Sequence, residues 1–310
     1  MSTAPRLQVL LAGRLDAGER EAWWQALRAA TPEFDWYCDW HRDDAPFDAA
    51  TIDAAVVANP APGALAALPR LRLIQSLWAG VDRLLADATL PAQVPLARMV
   101  DPAMNAAMAE TALWAVLGLQ RRFFDYTAQQ QCALWLQHRQ RRADEVRVLV
   151  LGAGQMGGAV AARLAAQGFR VSTWRASEQV PLAPQLATAD IVVNLLPLTE
   201  RTRGLLDARC FAAMRQGASL VNLARGAHVV EADLLAALDA GHLHRAVLDV
   251  FAVEPLPPEH VFWRHPQVTV LPHVAALTDE RSAAAVVAAN LRALAAGTPI
   301  AHRVDRARGY

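Results

Sequence analysis

Three side chains, widely spaced along the chain, have the types needed to reduce a carbonyl beside a carboxylate: Arg225, Glu254 and His273. Hydride arriving at a carbonyl carbon leaves negative charge on oxygen, and an imidazole is the natural proton donor near neutral pH. A carboxylate hydrogen-bonded to that imidazole favours its charged form and fixes its orientation. A guanidinium offers a two-pronged donor to a substrate carboxylate. Together the set points to 2-keto acid reduction. Singly, each has a plainer role: Arg225 as a capping or surface residue, Glu254 as a turn residue before Pro255, His273 as a buried structural histidine.

The elements that carry them decide between these readings. From residue 147 onward, strands are expected over 148–151, 170–173, 191–195, 220–222, 246–250 and 268–271, with helices over 157–167 and 232–240 among them. Such alternation predicts a parallel sheet covered by helices. Ligands bind these sheets outside the carboxyl ends of the strands. Arg225, Glu254 and His273 each follow one such end, so neighbouring strands would bring them together.

The first hundred residues alternate in the same way, with strands expected over 7–12, 34–37, 52–58 and 71–76 and a helix over 16–30 capped by Asp16. One helix is expected from 103 to 131, opened by Asp101-Pro102. Residues 138–145 read as a solvated connector. A closing helix is expected over 279–296, with Thr278 as its cap and Gly297 as its terminator. The fold class is α/β, with two parallel-sheet domains.

Between the first expected strand and helix of the second half runs Gly152-Ala153-Gly154-Gln155-Met156-Gly157. Gly152 would permit the tight turn, Gly154 the approach of backbone to a pyrophosphate, and Gly157 close packing of helix on strand. The helix N-terminus adds unpaired N–H groups and a positive dipole end. This is a dinucleotide site. Its next strand ends in Trp174-Arg175-Ala176-Ser177, with no carboxylate to bind a ribose 2′-hydroxyl, whereas Arg175 and Ser177 could hold a 2′-phosphate. NADP (NADPH) is therefore expected in preference to NAD.

Composition narrows the field further. All 30 basic residues are arginine, which excludes Schiff-base, pyridoxal-phosphate and Walker-type lysine chemistry. The 30 acidic residues bring the formal net charge to zero, so no nucleic-acid partner is expected. The three cysteines, Cys38, Cys132 and Cys210, lack paired spacing and suit reduced thiols. No apolar run reaches the roughly 18 residues of a membrane span, and Met1–Arg6 does not read as a signal peptide. The expected location is cytoplasmic, with no membrane partner. His242 and His244 read as a solvent-facing pair, so no metal site is expected; His260 and His265 read as loop packing. Trp23-Trp24 reads as core, and Trp135 is a candidate to reach a partner subunit.

These motifs resemble the D-isomer-specific 2-hydroxyacid dehydrogenase family, and within it the glyoxylate/hydroxypyruvate reductase A branch. The likeness rests on Asn222-Leu223-Ala224-Arg225-Gly226, on the run from Asp249 to Pro255, on Pro272-His273-Val274-Ala275 and on Asn194-Leu195-Leu196-Pro197-Leu198-Thr199. The resemblance implies that Arg225 binds the substrate carboxylate, that His273 is the acid/base and that Glu254 is its partner. It further implies that Trp78, Ala79 and Gly80 line the substrate from the other domain, with backbone N–H groups from 79–82. The cofactor side would comprise Gly152, Gly154, Gln155, Met156, Gly157, Trp174, Arg175, Ser177, Leu196, Pro197 and Ala224, with Asp249 near the nicotinamide amide. The implied fold is a Rossmann-type nucleotide domain over 100–276 plus a discontinuous, flavodoxin-like substrate domain over 1–99 and 277–310, forming a homodimer through the nucleotide domain. The implied reaction is NADPH-dependent reduction of glyoxylate or hydroxypyruvate to glycolate or D-glycerate. Two alternatives stay open: an NAD-dependent dehydrogenase of a larger 2-hydroxy acid, and a non-catalytic nicotinamide-binding regulator.

Overall fold

The structure is a computed structural model that describes residues 6–40, 47–178 and 180–310; the Met1–Pro5 part of the leader reading lies outside them. In chain order the elements are β1 (Gln8–Gly13), α1 (Ala17–Ala30), β2 (Asp35–Cys38), β3 (Ala54–Ala58), β4 (Leu73–Ser76), α2 (Asp82–Leu85), β5 (Leu96–Ala97), α3 (Pro102–Gln120) and α4 (Phe123–Gln131). Next come β6 (Arg147–Leu151), α5 (Gln155–Ala166), β7 (Arg170–Trp174), α6 (Ala183–Leu186), β8 (Ile191–Asn194), α7 (Ala208–Ala213) and β9 (Ala218–Asn222). The chain closes with α8 (Glu231–Asp239), β10 (Leu243–Leu248), β11 (Val268–Val270) and α9 (Glu280–Ala296). It divides into two compact units, Met1–Ala103 with Thr278–Tyr310, and Met104–Leu277.

The first unit holds a parallel sheet in the order β2-β1-β3-β4-β5. Its central strand β3 is the unbroken apolar run Ala54-Ala55-Val56-Val57-Ala58, buried along its whole length, as a parallel strand covered on both faces requires. Asp16 caps α1 in a reciprocal box: its carboxylate accepts from Glu19 N at 2.8 Å while the Glu19 carboxylate accepts from Asp16 N at 2.9 Å. That cap directs Trp23, Trp24 and Leu27 into the core. On α9 the cap is Asp279, whose carboxylate accepts from Arg281 N at 2.9 Å, and not Thr278. The Thr278 hydroxyl instead donates to the Leu77 carbonyl at 3.3 Å. Gly297 ends the helix in the left-handed region, φ 67°.

The second unit holds a parallel sheet in the order β11-β10-β9-β8-β6-β7, with strand order reversing between β6 and β8. The single helix expected over 103–131 is two helices, α3 and α4. The chain turns at Arg122, which adopts φ 58°. The turn folds Phe124 back onto α3, edge-on to Trp114 at 5.5 Å and so close to Gly118 that a Cβ there would lie 2.6 Å from the ring. Asp125 then collects Arg122 at 2.7 Å, with Arg245 and His244 each at 3.3 Å. His244 is thus paired and half-buried rather than solvent-facing. His242 likewise bonds Gln216 and the carbonyls of Phe211 and Met214. Among the described residues no helix is long and apolar enough to cross a membrane.

Candidate active site

Register sets the geometry of the second unit's sheet. Leu151 pairs with Asn194, Asn194 with Asn222, Asn222 with Leu248, and Leu248 with Val270, so five strands end in one level row. Every loop that leaves this row starts from the same edge. Arg225 stands three residues past its strand end, His273 three past its own and Glu254 six.

Two close contacts pull those loops together. Gly226 lies so near the Phe251 carbonyl that an added Cβ would be 1.9 Å from its carbon, so only glycine lets the Arg225 turn seat against the loop that carries Glu254. The two oxygens of Glu254 accept from Phe251 N at 2.9 Å and from His273 Nδ1 at 2.7 Å. Burial pushes the Glu254 carboxyl up, but the bond from His273, the Phe251 N–H and the nearby charges of His273 and Arg225 outweigh it and hold it below its ordinary value. With Nδ1–H committed to the carboxylate, Nε2 of this half-exposed ring is the nitrogen available to a ligand.

His273 has φ 57°, a left-handed conformation that costs a non-glycine residue about 1–2 kcal/mol. Asp249 maintains it. Its carbonyl accepts from His273 N at 2.9 Å, and its two carboxylate oxygens accept from Val274 N at 2.8 Å and Ala275 N at 3.0 Å. The Asp249 side chain is buried, which raises its carboxyl against the lowering effect of those N–H groups. The residue expected beside the nicotinamide amide therefore spends both oxygens on the histidine loop.

The glycine loop fits a dinucleotide. Gly152 has φ 99°, and a Cβ on Gly157 would sit 1.6 Å from the Gly152 carbonyl oxygen. Gly154 faces open space and is the N-cap of α5, with no side chain capping the helix. Gln155 and Met156 form the first turn of α5, Gln155 exposed and Met156 half-buried. Arg175 donates to the Ala153 carbonyl at 2.9 Å, which holds its guanidinium over the loop, and lies 3.8 Å from Glu178. Ser177 is exposed beside it.

Trp174 differs from the expectation. Its ring belongs to the hydrophobic core and its indole donates to Val180, leaving only its carbonyl, which accepts from Gly152 N, at the loop. Leu196 also turns its side chain into the core, Pro197 is half-buried and Ala224 is buried. Trp78, Ala79 and Gly80 lie in the first unit, just past the end of β4, with the Trp78 ring edge-on to Trp23 at 6.5 Å. Sequence reasoning missed Arg201, which donates to the Ala176 carbonyl at 2.9 Å and so adds a second guanidinium to the Arg175–Ser177 loop. No local signal marks it, because the contact spans 25 residues.

The family profile described as "D-isomer specific 2-hydroxyacid dehydrogenase, NAD binding domain" matches residues 113–275. The chain is 43% identical over 281 residues to glyoxylate/hydroxypyruvate reductase A of Serratia proteamaculans, covering 86% of this chain and 90% of that protein. It is 38% identical over 308 residues to the protein of that name from Yersinia enterocolitica, covering 94% and 97%. Among solved structures, a D-isomer specific 2-hydroxyacid dehydrogenase from Xanthobacter autotrophicus, in complex with NADPH and MES, superposes with TM-score 0.92 at 38% identity, covering 99% and 100%. An NADPH-dependent glyoxylate/hydroxypyruvate reductase from Sinorhizobium meliloti, in complex with NADP and sulfate, gives TM-score 0.90 at 34% identity, covering 98% and 100%. The family profile and the extent of these likenesses agree: the chain belongs to the D-isomer specific 2-hydroxyacid dehydrogenase family.

Proposed function

We propose that this chain reduces a short 2-keto acid, glyoxylate or hydroxypyruvate, to the 2-hydroxy acid, with NADPH bound along the Gly152–Gly157 loop of the second unit. The observation that carries the reading is the 2.7 Å bond between His273 Nδ1 and Glu254 Oε2, on the edge from which the Arg225 turn also leaves. The names and bound cofactors of the relatives support the same reaction and the same cofactor.

When bound, NADPH supplies hydride to the keto carbon. The chain's own residues do the rest. Arg225 offers its fork to the substrate carboxylate, which fixes the distance of the carbonyl from the edge. His273 holds a proton on Nε2 and releases it to the carbonyl oxygen as charge develops there. Glu254 accepts from Nδ1–H and fixes the orientation of the ring, and Asp249 sets the backbone from which the ring projects. Arg175 and Arg201, both anchored by backbone carbonyls of the loops next to Ser177, suit a 2′-phosphate. The cysteines are free thiols, in keeping with a cytoplasmic setting. The exposed apolar side chains Trp114, Phe123 and Trp135 support a homodimer formed through the second unit.

Steady-state oxidation of NADPH against a panel of 2-keto acids tests the proposal. Turnover is expected with glyoxylate or hydroxypyruvate and less with phenylpyruvate; no turnover with any of them would favour a nicotinamide-binding regulator. Higher kcat/KM with NADH and phenylpyruvate would favour the NAD-dependent dehydrogenase of a larger acid. Arg175→Ser is expected to lower kcat/KM for NADPH by about tenfold to a hundredfold, the worth of one charged hydrogen bond, with little change for NADH. Equal losses with both cofactors would remove Arg175 from 2′-phosphate binding.

Glu254→Gln tests the pair. The amide keeps the size but loses the charge that accepts from His273 Nδ1, so kcat for keto-acid reduction is expected to fall about tenfold to a hundredfold, the worth of one charged hydrogen bond, with NADPH affinity unchanged. Because the Glu254 carboxyl lies below its ordinary value, the parent keeps this bond as pH falls through the ordinary carboxylate range. An unchanged kcat would take Glu254 out of the proton path.

A further inference from the structure

Behind the level edge lies a polar chain with no exposure to solvent, in a sheet whose neighbouring side chains are aliphatic. Asn194, Asn222 and His228 are each 0% exposed. Buried polar atoms that are not paired are costly, and here each has a defined partner. Asn194 Oδ1 accepts from Leu196 N at 3.2 Å, which fixes the orientation of its amide. Its Nδ2 donates to Asn222 Oδ1 and to His228 Nδ1, both at 3.0 Å. Asn222 Oδ1 also accepts from Ala224 N at 3.3 Å, and Asn222 Nδ2 donates to the Arg225 carbonyl at 3.1 Å. Because His228 Nδ1 must accept, the ring is neutral with its proton on Nε2. That Nε2–H donates to the Pro197 carbonyl at 3.3 Å, which also accepts from the buried Thr202 hydroxyl at 2.7 Å.

We propose that His228 is a positioning residue, a neutral strut locked in one tautomer that ties the Arg225 turn to the Leu196–Pro197 loop and so sets the substrate and cofactor sites against each other. The inference rests on the proposed function, in which the first of those loops binds the keto acid and the second borders the cofactor. Its own backbone belongs to the Arg225 turn, since His228 N donates to the Arg225 carbonyl at 3.2 Å, so the ring bridges from one loop to the other. A ring that only filled space would need neither nitrogen.

The spectroscopic test uses the intact parent protein, with its histidine rings labelled by nitrogen-15. The His228 ring, identified as the signal that vanishes in His228→Phe and His228→Gln, is expected with unprotonated Nδ1 and protonated Nε2. A proton on Nδ1, or on both nitrogens, would overturn the chain of bonds. The functional arm measures NADPH affinity by fluorescence and keto-acid KM by turnover, at a temperature where each variant is folded. His228→Phe is expected to raise both constants about tenfold, the loss expected from one buried hydrogen bond. His228→Gln can restore a donor to the Pro197 carbonyl and is expected to recover most of the NADPH affinity. A lowered Tm with both constants unchanged would make His228 a core filler and overturn the proposal. A parent protein that binds no NADPH would defeat the proposed function itself, and the tautomer result would still be read separately.

Discussion

Exchange of His273 for Gln is expected to slow keto-acid reduction by about 10²- to 10⁴-fold, the range spanned by positioned proton donors. NADPH affinity should hardly change. The reason lies in how the second unit divides its labour. The glycine loop, the N-terminus of α5 and Arg175 belong to β6 and β7, and none of their hydrogen bonds runs through His273. Stopped-flow measurement of hydride transfer, paired with a fluorescence titration of NADPH, separates the two effects. Loss of cofactor binding in step with turnover would show that the ring supports the loops rather than the chemistry.

Arg225→Met should have an effect of similar size but a different signature. Removing one partner of a hydrogen-bonded charge pair costs about 2–5 kcal/mol, or roughly 30- to 5,000-fold in kcat/KM. Arg225→Lys keeps the charge without the planar fork and is expected to fall between parent and Met. The decisive control is a neutral aldehyde of similar size, which has no carboxylate to hold. Its slow reduction should be nearly indifferent to the substitution. An equal loss with glyoxylate and with the aldehyde would mean that Arg225 acts on the carbonyl or on the loop, not on the carboxylate.

Much of this arrangement is legible in the chain. Aliphatic runs such as Ile191-Val192-Val193 read as buried parallel strands because a strand covered on both faces has no polar side to show. Arg225, Glu254 and His273 are readable as a group because each follows such a run, and strand register brings the run ends level. What escapes the sequence depends on contacts between distant residues. The break between α3 and α4 follows from Phe124 packing on Gly118, which helical periodicity does not foresee. The cap of α9 shifts by one residue because the Leu77 carbonyl takes the Thr278 hydroxyl. Trp174 reads as a binding residue by position, yet its ring is drawn inward by the surrounding apolar side chains. Asn194 reads as a residue inside a strand and Asn222 as a strand end, and only their pairing across β8 and β9 reveals a connected amide chain.

The level row also limits how chains of this kind can vary in length. Deleting one residue within β9 would retract its outgoing turn by about 3.3 Å and flip the later side chains of that strand to the opposite face. Arg225 would then be drawn back from the row with its turn. A residue added before Ala218 or Val268, at the far rim, leaves the edge where it was. Insertions and deletions compatible with activity should therefore gather on the rim away from the nucleotide loop.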